Sequence, residues 1–320
     1  MHKIIHPAMP PHVVCLLFAL LPLAWCGGLN CGCPGAALAQ EAVDGVLDLS
    51  GTSVTADELK QKLEGLPDLK ELDLSACEEI NDAALAHLKG LKQLEKLNLR
   101  DCTKITDAGL EHLQGLTSLK DLSLLSCAAV NGSGLKHLQG AEQLAVLNLN
   151  GTQLTDAGLA HLEKIPSLKE LEIAYCKTFS DAGLKHLQKL KQLRLLNLYS
   201  DEQITDNGIA HLGEMTELRD LNLRFVKPFS DAGMVHVGGL VQLEKLQLGG
   251  TAITDNGLSQ LVKLSKLKEL DLFSVKMTDA GLEHLKALKA LEMLNVPFTK
   301  VTGAGADGLK RVIPKCEITL

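Results

Sequence analysis

Residues 98–116 read NLRDCTKITDAGLEHLQGL, and the chain writes near-copies of this phrase along most of its length. The leucine that opens each L-x-L pair falls at Leu47, Leu72, Leu97, Leu122, Leu147, Leu171, Leu196, Leu221, Leu246, Leu270 and Leu294, and Ile318 closes the series. Successive members stand 24 or 25 residues apart. A fixed period of this length is the signature of a solenoid, in which each unit buries its apolar face only by stacking on its neighbours.

Inside one unit the hydrophobic period changes. Leu97 and Leu99 face one way while Lys96, Asn98 and Arg100 face the other, which predicts a short strand. Thr106 then offers an oxygen to cap a helix and Asp107 suits its positive end. Leu110, Leu113 and Leu116 follow at helical spacing. The cap-and-acid pair returns as Thr155-Asp156, Ser180-Asp181, Thr205-Asp206, Ser230-Asp231, Thr254-Asp255 and Thr278-Asp279. Gly109, Gly158 and Gly183 sit inside the first helical turn, where glycine costs about 1 kcal/mol. The expected reason is close packing of helix on sheet.

Residues 94–113, LEKLNLRDCTKITDAGLEHL, resemble the leucine-rich repeats, specifically the cysteine-containing type of the substrate-recognition half of F-box proteins. Similar TDAGLxHL arrays occur in exported bacterial proteins. The resemblance covers about residues 43–320 and implies an α/β fold. The expected architecture is a right-handed leucine-rich-repeat horseshoe, with a parallel sheet on its concave face and short helices on its convex face. It would hold about 11–12 repeats over residues 40–320. The family binds many unrelated partners, so the resemblance implies binding without saying of what.

Residues 1–39 differ from the rest. Val13 to Trp25 is apolar, interrupted by Pro22 and too short to span a bilayer. Ala37-Leu38-Ala39 then precedes Gln40 in an A-x-A arrangement, so 1–39 reads as a secretory signal peptide. The expected location is periplasmic, cell-surface or secreted, and cytoplasmic if the leader is mis-annotated; Met9 is an alternative start. Cys26, Cys31 and Cys33 fall in this leader. The five cysteines after it are an odd number, so no disulfide framework is implied.

Formal charge is −7, with acids and bases interleaved, which does not resemble the basic footprint of a nucleic-acid binder. Cys77, Cys102, Cys127 and Cys176 share one repeat position with Thr52, Thr152, Thr251, Thr299, Val226 and Val275. A position that accepts Cys, Thr and Val is a small inward slot and not a metal ligand. Asp201 occupies it once, where a wet or distorted site is expected. The histidines (His87, His112, His137, His161, His186, His211, His236, His284) form a second column, one per helix. Packed helices lie about 8–10 Å apart, too far for neighbouring histidines to share a zinc at about 2.0–2.1 Å. They read as a half-exposed convex edge. The sequence holds no nucleophile elbow, phosphate-cradling loop or paired-His motif, and no cofactor is expected.

The concave face carries the candidate site. Its central column runs Asp48, Asp73, Asn98, Ser123, Asn148, Glu172, Asn197, Asn222, Gln247, Asp271 and Asn295. Beside it, at the strand ends, lie Arg100, Leu125, Tyr175, Tyr199, Arg224, Phe225, Phe273 and Phe298. Five of the seven aromatics beyond residue 39 fall in this strip, while Phe179 and Phe229 belong to the core pattern. Exposed aromatics beside arginine are the makings of an interface hot spot. The expected binding residues are this strip with Asn148, Glu172, Asn197 and Asn222. The expected function is a monomeric, non-enzymatic module binding a protein partner. The alternatives are the substrate-recognition subunit of an SCF-type ubiquitin ligase, or a structural envelope or spacer protein.

Overall fold

The computed structural model describes residues 42–320; the signal-peptide reading of 1–39 lies outside them. Twelve three-residue strands follow one another in a single parallel sheet whose spatial order is the sequence order. They are β1 (Val46–Asp48), β2 (Glu71–Asp73), β3 (Lys96–Asn98), β4 (Asp121–Ser123), β5 (Val146–Asn148) and β6 (Glu170–Glu172). They continue as β7 (Leu195–Asn197), β8 (Asp220–Asn222), β9 (Lys245–Gln247), β10 (Glu269–Asp271), β11 (Met293–Asn295) and β12 (Glu317–Thr319). The middle leucines pair in register, as in Leu171↔Leu196↔Leu221, and all are buried. Pairing runs past the strand ends, with Leu198 N–H donating to Asn222 O and Ser200 N–H to Arg224 O, each at 2.9 Å. Every strand exit is thereby aligned with the next.

Between strands the chain returns through a short helix, and one continuous leucine-rich core runs from Leu47 to Cys316 between sheet and helices. Among the described residues no helix is long and apolar enough to cross a membrane. Most return segments are α-helical, but Gly109–Leu113 and Ser133–Gly140 are 3₁₀. The second departure has a local cause. Asn131-Gly132-Ser133 replaces the Thr-Asp pair, and Gly132 starts the turn at φ 92° with no side chain to cap it.

The aspartate that opens each helix does more than suit its positive end. Asp82 Oδ1 accepts the Thr106 N–H at 2.8 Å and Oδ2 accepts the Thr106 hydroxyl at 2.6 Å. The same two-pronged contact joins Asp156 to Ser180, Asp206 to Ser230, Asp231 to Thr254 and Asp255 to Thr278. Asp181 holds Thr205 likewise, and Asp279 holds Thr302. Each carboxylate therefore grips the cap residue of the next repeat. At Asp279 these donors, the Thr302 N–H first, hold the carboxyl below its ordinary pKa.

This contact explains the helical glycines and corrects the sheet-packing expectation. A Cβ on Gly208 would lie on Asp181 Oδ1 and 2.9 Å from its Cγ. Gly109, Gly233, Gly257, Gly281 and Gly305 face Asp82, Asp206, Asp231, Asp255 and Asp279 in the same way. The glycines clear room for the preceding repeat's carboxylate, helix against helix.

The cysteine slot is interior. Cys77, Cys102, Cys127 and Cys176 are free thiols with no exposed surface. Each thiol donates back to the preceding repeat, as Cys102 Sγ does to Leu74 O at 3.1 Å and Cys127 Sγ to Leu99 O at 3.2 Å. Threonine in the same slot turns to its own repeat, with Thr152 Oγ1 donating to Leu149 O at 2.7 Å. Burial pushes the Cys102 and Cys127 thiols up to about 12, so they stay protonated.

Asp201, where a wet or distorted site was expected, is fully buried. Its Oδ1 accepts the Cys176 N–H at 2.9 Å, while Oδ2 has no partner. The local rearrangement falls one repeat earlier than expected. Asp201 keeps the turn bond of its siblings, from its N–H to Leu198 O, whereas the Cys176 N–H is drawn away to the carboxylate. Burial raises Asp201 to about 9, so it is neutral in the folded chain at pH 7.

Two expectations follow. An unfolded aspartate ionises near pH 3.9, so the native chain holds an extra proton from there to about pH 9. Stability is then full below pH 4, falls as pH rises through that window, and levels above it. Asp201→Asn keeps the acceptor and removes the titration, so urea melts should show it more stable than the parent at pH 8 and little changed at pH 4. Equal pH slopes would place Asp201 in water. Separately, Gly208→Ala should cost about 1–3 kcal/mol by overpacking against Asp181. Gly90→Ala, with nothing within 4 Å of the added carbon, should stay within about 0.5 kcal/mol.

Candidate functional site

The strand exits build the site. The third residue of each strand is Asp or Asn in most repeats, and its oxygen accepts the N–H two residues on. Asn197 Oδ1 accepts the Tyr199 N–H and Asn222 Oδ1 the Arg224 N–H, each at 3.0 Å. Asn148 Oδ1 does the same for Asn150. This local bond ends the strand and turns the chain. The residue that follows Tyr199 or Arg224 enters the left-handed region, as do its counterparts in other repeats, among them Ala76, Asp101, Ser126 and Ser274.

Glycine fills that position as Gly51, Gly151 and Gly250, without steric penalty. Three repeats place a large ring there instead: Tyr175 at φ 59°, Phe225 at 58° and Phe298 at 59°. A left-handed conformation costs such a residue about 1–2 kcal/mol. Backbone geometry alone favours glycine at all three.

The rings meet. Tyr175 and Tyr199 centroids are 4.9 Å apart, Tyr199 and Phe225 5.4 Å, Phe225 and Phe273 6.3 Å, and Phe273 and Phe298 5.2 Å. Five aromatics, one from each of five repeats, thus form one unbroken ladder along the exits of β6 to β11, with the β9 repeat contributing no ring. Its ends are open to solvent, with Tyr175 53% and Phe298 81% exposed, and its middle is half-buried. The Arg224 guanidinium lies 5.5 Å from the Phe225 centroid and 5.4 Å from that of Phe273. Its Nε reaches Asp271 Oδ2, two strands away, at 3.1 Å. That is a charge contact without hydrogen-bond alignment.

The bridge needs the intervening repeat to carry no side chain. A Cβ on Gly250 would lie on the Phe225 ring, and one on Gly249 would sit 3.2 Å from Arg224 Nε and 3.0 Å from Asp271 Oδ2. Sequence reasoning passed over Gly249, Gly250 and the Asp271 contact. A Gly-Gly pair between two aromatic-bearing repeats was the available signal.

The remaining expected residues are placed less compactly. Arg100 and Leu125 stand at the exits of β3 and β4, cut off from the ladder by Asn150 and Gly151 at the exit of β5. The Arg100 Nε pairs with its neighbour Asp101 at 3.0 Å. Glu172 Oε2 accepts from both Asn150 and Asn197, at 2.7 and 3.0 Å, which ties three strand exits together beside Tyr175. Phe179 and Phe229 are fully buried core residues, and the histidine column is half-exposed throughout.

The open face of the sheet is acidic. The first residues of the strands include Glu71, Asp121, Glu170, Asp220, Glu269 and Glu317 against Lys96 and Lys245. The third residues add Asp48, Asp73, Glu172 and Asp271 and no base. Burial raises the Asp220 carboxyl above its ordinary range; nearby Lys245 opposes this, and Glu269, Glu172 and Glu170 add to it. A depression of about 330 Å³ on this face is lined by Arg224, Lys245, Gln247, Glu269, Asp271 and Met293 among others.

A Leucine Rich repeat family profile matches residues 92–113, 164–188 and 242–262. The fold is a leucine-rich-repeat solenoid. The match is to the repeat itself and specifies no subtype. An internalin (inlF) from Listeria monocytogenes is similar in structure, at TM-score 0.62 and 20% identity over 86% of each chain. Internalin C2 from the same organism gives 0.54 and 21%, over 75% of this chain and 91% of its own. A chain of the yeast Rad7–Elc1 complex gives 0.56 and 19%, over 85% of this solenoid and 79% of that chain. No curated protein matches the sequence significantly.

Side-chain truncation should separate the open end of the ladder from its braced middle. Phe298→Ala removes a ring that is 81% exposed, and its melting temperature should stay within about 2 °C of the parent. Arg224→Ala strands the Asp271 side chain, only 14% exposed, without its cation. It should cost about 1–2 kcal/mol in urea melts. Equal losses would mean that the guanidinium braces nothing.

Proposed function

We propose that this solenoid is a non-enzymatic module that binds a protein partner through the aromatic ladder and the sheet face beside it. The single observation behind this reading is the use of Tyr175, Phe225 and Phe298 at left-handed positions where sibling repeats use glycine or small residues. A conformational cost borne by rings of which two, Tyr175 and Phe298, remain open to solvent is a mark of function more than of folding. Aromatic residues flanking an arginine also match the composition of interface centres. Leucine-rich repeats generally serve as interaction surfaces rather than as enzymes.

Asn148, Glu172, Asn197 and Asn222 enter as the polar border of the site. Arg100 and Leu125 belong to a second, smaller patch on the same rim. Export completes the reading, motivated by the 1–39 leader and its A-x-A end; a native N-terminus at Gln40, read by mass spectrometry, is its mark.

The test is capture from extracts of the native host by immobilised full-length chain, parent against Tyr175→Ala with Phe298→Ala. A partner that binds the ladder should be retained at least tenfold less by the double variant, with circular dichroism melts unchanged. A partner retained equally by both would move the binding surface elsewhere.

A further inference from the structure

Resting on that reading, we infer that the partner segment which docks on the ladder is cationic, carrying lysine or arginine side chains that lie across Leu195 toward Glu170 and Asp220. The place is the middle of the sheet face. In register, Glu170, Leu195 and Asp220 are neighbours on β6, β7 and β8. Adjacent strands lie about 4.8 Å apart, so two acids flank one half-exposed leucine across roughly 10 Å. Tyr175 and Tyr199 close the same strands at their exits, 4.9 Å from each other.

Acids outnumber bases around that square, where Lys245, in register with Asp220 on β9, is the adjoining base. Among the described residues Glu170, Glu172 and Asp220 have no salt bridge, whereas Asp121, Glu269 and Asp271 are matched by Lys96, Lys245 and Arg224. Glu172 spends one oxygen on two asparagine amides and leaves the other uncommitted. The bases Lys169, Arg194 and Arg219 lie just before the strands, at the opposite rim from the rings. A cation entering the face is thus attracted to the centre and the Tyr175–Tyr199 end of the ladder, away from Arg224, and repelled from the far rim.

Lysine and arginine satisfy each component at once. Their aliphatic stems cover an apolar residue such as Leu195. Their heads reach carboxylates on either side, and aromatic faces nearby attract cations. An acidic or neutral segment would bring its own charge or unmet polar groups over uncompensated carboxylates, which opposes binding.

The experiment uses the full chain and synthetic probes of about nine residues: an alternating lysine–leucine peptide and its glutamate–leucine counterpart, followed by fluorescence anisotropy. The basic probe should bind saturably, and more weakly as salt rises. The acidic probe should not bind. Glu170→Gln with Asp220→Asn should weaken the basic probe at least tenfold while the thermal melt is retained, and convex-side His284→Gln should leave it unchanged. Absence of saturable binding by the basic probe, equal binding of both probes, or unaltered affinity in the double acid variant would overturn the inference. The ladder reading stands apart from it. If Tyr175→Ala with Phe298→Ala releases the captured partner while the double acid variant does not, the ladder docks a partner that is not cationic.

Discussion

In most repeats one carboxylate holds the solenoid in step. Buried leucines supply most of the attraction between repeats, but apolar contact is non-directional and would tolerate small slips and rotations of one unit on the next. The aspartate at each helix start removes that freedom, because its two oxygens accept the N–H and the hydroxyl of the next cap residue together. The cap residue is fixed from both sides: its own hydroxyl starts its own helix, and the preceding repeat holds the group that does so. A side chain on the helical glycine would displace the carboxylate, so Asp, Thr or Ser, and Gly form one device spread over two repeats.

The exit of each strand follows from a second local bond. An Asp or Asn oxygen turned onto the N–H two residues ahead ends the strand and drives the following residue toward a left-handed conformation. Because the sheet stacks this turn in register, whatever side chain occupies it meets its equivalents from adjacent repeats. Small residues there yield a bare rim, as around Gly151. Aromatic residues there yield a continuous ladder, and the Gly249-Gly250 repeat lets Phe225 and Arg224 bridge a gap that a side chain would close.

The same stacking places like charges in columns. Outward positions must be polar to face water, and strand-ending positions favour Asp or Asn, so the sheet face becomes acidic where lysine and arginine do not intervene. Water makes this tolerable at the surface, with charges about 4 Å apart interacting by roughly 1 kcal/mol in bulk solvent. In the interior it is not tolerable, and Asp201 meets the constraint by keeping its proton and borrowing the N–H of Cys176.

The period, the alternation of strand and helix, the inward leucines, the small core slot and the gathering of five aromatics on one rim were all legible in the amino-acid sequence. Each is written within one repeat and multiplied, so a local pattern suffices to reveal it. The partner of each helical glycine, the ring-to-ring contacts, the reach of Arg224 over two strands to Asp271 and the burial of Asp201 were decided by the tertiary structure. These depend on side chains that are one or two whole repeats apart in sequence and on the room their neighbours leave. A repeat read by itself contains neither the neighbour nor the gap.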